Sequence, residues 1–78
     1  MPILENFKGV KIHVYNGEHR PPHIHADYNE FEVLIEIESR RIYAGSLPKR
    51  QLKIAFDWLT ENADWVLQVF YELNTELR

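Results

Sequence analysis

The sequence predicts an α+β fold, with a four-stranded antiparallel meander sheet and two C-terminal helices packed on one face of it. Three observations predict it. The first half of the chain alternates apolar and polar residues with period two, as half-buried strands do. The second half repeats its apolar residues at helical spacing. Turn residues fall between the alternating runs.

The elements follow in order. Val10, Ile12 and Val14 alternate with Lys11, His13 and Tyr15, which makes the first strand. Asn16 to Pro22 is a loop by its glycine and double proline, and its Pro21-Pro22 end is stiff and extended. Ile24, Ala26 and Tyr28 alternate with His23, His25 and Asp27 in a second strand. Asn29-Glu30 closes a tight turn into a third, where Phe31, Val33, Ile35 and Ile37 alternate with Glu32, Leu34, Glu36 and Glu38. Ser39-Arg40 is the next turn, and Ile42 and Ala44 belong to a fourth strand with Arg41, Tyr43 and Gly45.

These phases agree with one another. An Asn29-Glu30 turn sets Tyr28 against Phe31, Ala26 against Val33 and Ile24 against Ile35, all apolar pairs. A Ser39-Arg40 turn sets Ile37 against Ile42, Ile35 against Ala44 and Glu38 against Arg41. A slip by one residue would turn every side chain to the other face, so the agreement supports this register. Pro48 suits the first turn of a helix whose face is Leu52, Ala55, Phe56 and Leu59. Asn62 is placed to cap a second helix, with Asp64 in its first turn and Val66, Val69, Phe70, Leu73 and Leu77 as its stripe. Trp58 and Trp65 flank these stripes as core-edge residues or partner anchors.

Seventy-eight residues make one domain, 1–78. A chain of this size buries only about 60% of its unfolded surface, so a partner protein or a second copy of the chain would add what the core lacks. There is no cysteine, which excludes disulfides and thiolate zinc sites and leaves histidine, carboxylate or water to hold any metal. No apolar run approaches the ~20 residues of a membrane span, and the N-terminal residues do not read as a signal peptide, so a cytoplasmic location is expected. A net charge of −3 argues against a general DNA-coating role.

The polar face of the sheet carries the chemistry. His23 and His25 are two apart in one strand and point the same way. The register brings His13 opposite His25 and Glu36 opposite His23, with Tyr15 and Tyr43 beside them, and His19 sits in the loop before the strand. Such a group reads as a metal site of His13, His23, His25 and Glu36 for a divalent ion such as zinc, or as acid–base histidines. The plain alternative is a solvated sheet face of ordinary cross-strand pairs, or a His23 that bonds a loop carbonyl and fixes the Pro-Pro turn. Arg20, Lys49 and Arg50, with Lys53, offer a phosphate or anion site. RNA binding on the open face is opposed by Asp27, Glu32, Glu36 and Glu38, which outnumber Lys11 and Arg41 there.

Phe7-x-Gly9, Tyr15, the run Glu18-His19-x-Pro21-Pro22-His23-Ile24-His25-Ala26-x-Tyr28, and Gly45-x-Leu47-Pro48-Lys49-Arg50 with Leu52 resemble the bacterial domain-of-unknown-function 4160 family. The resemblance spans nearly the whole chain and singles out His19, His23 and His25, not His13. It carries no established activity. It implies a tiny free-standing protein, often encoded beside a second small domain in an arrangement like a toxin–antitoxin pair, and hence a small protein partner.

Two functions are therefore expected to compete. One is a protein-interaction module, half of a toxin–antitoxin-like pair, that binds through the open sheet face or a free strand edge. The other is a small hydrolase or nuclease that uses His23 and His25 with His19 or Glu36, with or without a divalent metal, and acts on RNA held by Arg20, Lys49 and Arg50.

Overall fold

The computed structural model describes residues 3–15 and 20–77. Five antiparallel strands, β1 (Ile3–Phe7), β2 (Val10–His13), β3 (His23–Tyr28), β4 (Phe31–Glu36) and β5 (Ile42–Ser46), form one sheet in the order β1-β2-β3-β4-β5. One helix, α1 (Lys49–Leu73), follows and ends in a 3₁₀ turn at Thr75–Leu77. The α+β class and the meander are as the sequence predicts, with one strand more and one helix fewer.

The extra strand is β1. It joins β2 through the two-residue loop Lys8-Gly9, across which Phe7 pairs with Val10. Both loop residues have positive φ, 53° and 86°, as the tightest hairpin loops require. Lysine is an uncommon residue in that conformation, so Lys8-Gly9 does not announce itself as a turn. A hydrogen bond of 2.8 Å from Trp58 Nε1 to Glu5 Oε1 ties β1 to α1.

The expected break at Asn62 is absent, and α1 runs for 25 residues. Asn62 lies mid-helix and its Nδ2 donates to the Trp58 carbonyl one turn back, at 2.8 Å. No glycine or proline interrupts Lys49–Leu73, and half-buried Ala63 carries the apolar stripe from Leu59 to Val66. The two stripes belong to one continuous face.

The β3–β4 hairpin has the predicted register, with Tyr28 opposite Phe31, Ala26 opposite Val33, Ile24 opposite Ile35 and His23 opposite Glu36. His13 pairs with His25, also as predicted. The β4–β5 hairpin does not. Ile35 faces Ile42, Leu34 faces Ala44 and Val33 faces Gly45, with an irregularity between Leu34 and Ile35. The loop is longer than Ser39-Arg40: Glu36 N bonds Arg41 O at 2.9 Å and Arg40 N bonds Glu36 O at 3.0 Å. Arg40 takes a positive φ of 63°, and its guanidinium donates to the Ile37 carbonyl. Ile37 N turns to the Pro22 carbonyl instead, at 3.0 Å. As a result Ile42 and Ala44 are exposed rather than covered by the helix.

The core lies between one sheet face and α1, which sits over β2 and β3. Val10, Ile12, Val14, Ile24, Ala26, Val33, Ile35 and Ile37 meet Ala55, Trp58, Leu59, Val66 and Phe70 there. Each fully buried aliphatic or aromatic side chain contributes about 1.5–3 kcal/mol relative to exposure. Trp58 is part of this core rather than its edge, while Trp65 stays exposed and meets it edge-on. Buried Asn74 closes the helix end: its Nδ2 donates to the Phe70 carbonyl at 3.0 Å and to the Tyr15 carbonyl at 2.9 Å.

Candidate functional site

Strand alternation turns Ile12, Ile24, Ala26, Val33 and Ile35 under the helix, so Lys11, His13, His23, His25, Asp27, Glu32, Leu34 and Glu36 belong to the opposite phase. Within that set the side chains assemble in two diagonal pairs. His13 Nε2 lies 3.0 Å from Asp27 Oδ2, and His25 Nδ1 lies 3.1 Å from Glu32 Oε2. Asp27 and Glu32 are directly opposite each other across β3 and β4, which joins the pairs into one quartet.

Two aromatic rings complete it. Tyr15 stacks on His13 with centroids 5.6 Å apart and meets His25 edge-on at 4.6 Å. The Tyr15 hydroxyl lies 3.4 Å from His13 Nδ1. Because Asn74 bonds the Tyr15 carbonyl, the end of α1 helps to position this ring.

His23 has a different role from the one expected. Its ring is 1% exposed, and Nδ1 donates to the Pro21 carbonyl at 2.7 Å. It packs among His25, Tyr43 and Phe70, with centroids 5.2, 5.4 and 5.8 Å away. The alternative of a solvated sheet face therefore fails for His23 and holds in part for half-buried His25, while His13 is buried as well. The reason is the neighbouring aromatics: Tyr15 lies against His13, and Tyr43 and Phe70 lie against His23. His23 anchors the proline loop to the sheet and the helix, the structural reading that the sequence left open.

Glu36 faces His23 in register, but its Oε1 accepts a hydrogen bond from Ser39 Oγ at 2.6 Å within the β4–β5 loop. Among the described residues no group of three or more histidines and carboxylates is placed to hold a metal ion. His19 lies outside the described residues. Lys49 and Arg50 line a cleft together with Lys8 and Lys53, and Arg20 is not among its lining residues.

Asp27 and Glu32 are the members that sequence spacing did not single out. The signal was present: an Asn29-Glu30 turn that sets Tyr28 against Phe31 also sets Asp27 against Glu32. Read as charges alone, they weigh against phosphate. Read as a cross-strand carboxyl pair beside two imidazoles, they form the polar centre of the face.

The family model described as Domain of unknown function (DUF4160) matches residues 9–70. The chain belongs to this family. No curated protein and no solved structure matches it. The DUF4160 match takes in β2 to β5, the whole quartet and most of α1.

Electrostatics set the character of this DUF4160 site. Burial raises the Asp27 carboxyl above its ordinary value, and Glu32 raises it further by charge repulsion and by hydrogen bonding, against the attraction of His13 and His25. Asp27 Oδ1 is buried with no hydrogen-bond partner, and the His13–Asp27 approach, though short, is not aligned as a hydrogen bond. It is an ion pair only when the His13 ring carries a second proton. The arrangement sets a raised carboxyl opposite a second carboxylate and near a half-buried imidazole.

The linkage has a definite sign. Asp27 binds its proton more tightly in the folded chain, so its contribution to stability is greatest when protonated. That contribution falls as pH rises from the ordinary value of 3.8 through the raised one. Asp27→Asn is expected to melt higher than the parent at pH 7, with the gap closing towards about pH 4. Thermal unfolding across that range checks it, and a gap that stays constant with pH would count against a raised Asp27.

Proposed function

We propose that this DUF4160 chain is a small protein-interaction module, one half of a toxin–antitoxin-like pair acting in the cytoplasm, that receives its partner along the edge strand β5. The observation that carries this reading is the state of that strand. All five residues of Ile42–Ser46 are exposed, Ile42 at 46% and Tyr43 at 40%, and β5 is the last strand of the sheet. An edge strand offers unpaired backbone groups, and proteins normally blunt it with charge or proline. Ile42-Tyr43-Ala44-Gly45-Ser46 has neither. A partner that adds a strand there gains main-chain hydrogen bonds and covers two large apolar side chains.

Support also comes from the histidines. His13 and His23 are buried among aromatics, and His23 is committed to a loop carbonyl, which suits a rigid scaffold behind the edge. Tyr43 links the two, since its ring packs on His23 while its strand lies at the edge. No helix among the described residues is long and apolar enough to cross a membrane.

The test is co-expression with the product of the adjacent gene, followed by co-purification and a binding titration. Ile42→Lys is expected to weaken the complex at least ~30-fold, the effect of losing an interface anchor of about 2 kcal/mol. Two proteins that elute independently at micromolar concentration would overturn the proposal.

A second reading rests on the quartet. A raised carboxyl between His13, His25 and Glu32 is suited to acid–base work, as in a small His-dependent hydrolase or nuclease, with or without a divalent metal. RNA cleavage that His25→Ala reduces 100-fold or so would favour it. Equal rates in a folded variant would dismiss it.

A further inference from the structure

A second feature stands away from both the histidine face and β5. A cleft of about 630 Å³ lies between the β1–β2 loop and one flank of α1, lined by Lys8, Lys49, Arg50, Lys53, Ile54 and Asp57. Four of the nine lysines and arginines of a chain with net charge −3 meet here, against one carboxylate. That carboxylate is already engaged, since Asp57 Oδ2 bonds Lys53 Nζ at 2.9 Å. Lys8, Lys49 and Arg50 then face the cleft without an anion lining it to balance them.

The placement is specific to the fold. Lys49, Arg50, Lys53, Ile54 and Asp57 recur at three- and four-residue spacing and so share one side of the helix. The cleft therefore runs along the helix flank rather than across its end. Lys8 arrives from a different element, held at the tip of the β1–β2 hairpin with Nζ 5.2 Å from the Phe7 ring centroid. Ile54, half-buried against the core, gives the cleft an apolar wall.

We propose that this cleft binds a small phosphorylated ligand of the nucleotide class, with its phosphates on Lys8, Lys49 and Arg50 and its base against Ile54. The volume lies within the range of small-molecule sites, which combine an apolar wall with a few placed polar groups. Arginine takes a phosphate bidentately and the lysines act as point charges. The acidic balance of the rest of the chain disfavours a long polyanion, so a compact ligand is preferred over a nucleic-acid strand.

Calorimetric titration of the full chain at low salt with ADP, pyrophosphate and a short single-stranded RNA tests this. ADP is expected to bind with a Kd below about 1 mM and pyrophosphate more weakly, which separates base from phosphate. Lys8→Glu with Arg50→Glu should weaken ADP at least tenfold, while Lys11→Glu with Arg41→Glu, an equal charge change outside the cleft, should not. If the double variant fails to fold by circular dichroism, Lys8→Gln and Arg50→Gln singly should each still weaken ADP several-fold. The proposal is overturned by no ADP binding at millimolar concentration, by binding of the RNA alone, by pyrophosphate equal to ADP, or by Lys11→Glu with Arg41→Glu acting as strongly as the cleft pair. Ile42 does not line this cleft, so the partner titration and this one fail independently.

Discussion

Phe70→Ala is expected to destabilise the protein by about 3–5 kcal/mol, the cost of deleting a buried aromatic side chain and leaving part of its volume empty. Phe70 is wholly buried in the core on the sheet side of α1. Its ring also packs on His23 at 5.8 Å and on Tyr71 at 5.8 Å, and its carbonyl accepts the Asn74 side chain. The loss therefore reaches the proline loop through His23. For a domain of this size each kcal/mol lowers the melting temperature by roughly 4–8 °C, so a fall on the order of 15–30 °C is expected by circular dichroism. A fall of under about 5 °C would mean that α1 does not seat on the sheet through this residue.

Gly45→Val should cost about 2–4 kcal/mol, the combined penalty of a forbidden backbone conformation and a steric clash. Gly45 has a φ of +74°, which β-branched residues avoid, and a Cβ there would collide with the Glu32 carbonyl oxygen. The strand can relieve the clash only by moving away from β4. Two readouts follow: a lower melting temperature, and loss of the amide protection of Leu34, whose N–H shares the β5 side with that of Glu36, in hydrogen exchange. If β5 receives the partner, the same substitution should also abolish co-purification. A stable, fully protected variant would show that Gly45 is not held against Glu32.

Much of the site is legible in the sequence alone. The polar phase of the sheet, the pairing of His13 with His25 and the opposition of Ile24 to Ile35 follow from alternation and the Asn29-Glu30 turn. What alternation does not report is depth. It placed His23 and His25 on one phase, yet His23 is sealed and His25 is only half-buried. The difference comes from Tyr43 and Phe70, which approach His23 from distant parts of the chain. Glu36 shows the same limit: its register was right, and its carboxylate still went to Ser39.

The errors of the fold have local causes. Ser39-Arg40 looked like a two-residue turn because it lay midway between two apolar runs. Arg40 in a left-handed conformation and the bulge at Tyr43 lengthened the loop and exposed Ile42. Asn62 looked like a cap because asparagine favours helix starts, but a side chain bonded to its own helix one turn back does not end it.

By itself the sequence determined the strand phases, the β3–β4 register and the apolar stripe of the helix, because all three depend on periodicity between near neighbours. The tertiary structure decided which polar groups touch, how deeply each imidazole lies, and which edge stays open. Those depend on side chains that meet from far apart in the chain, where spacing carries no information.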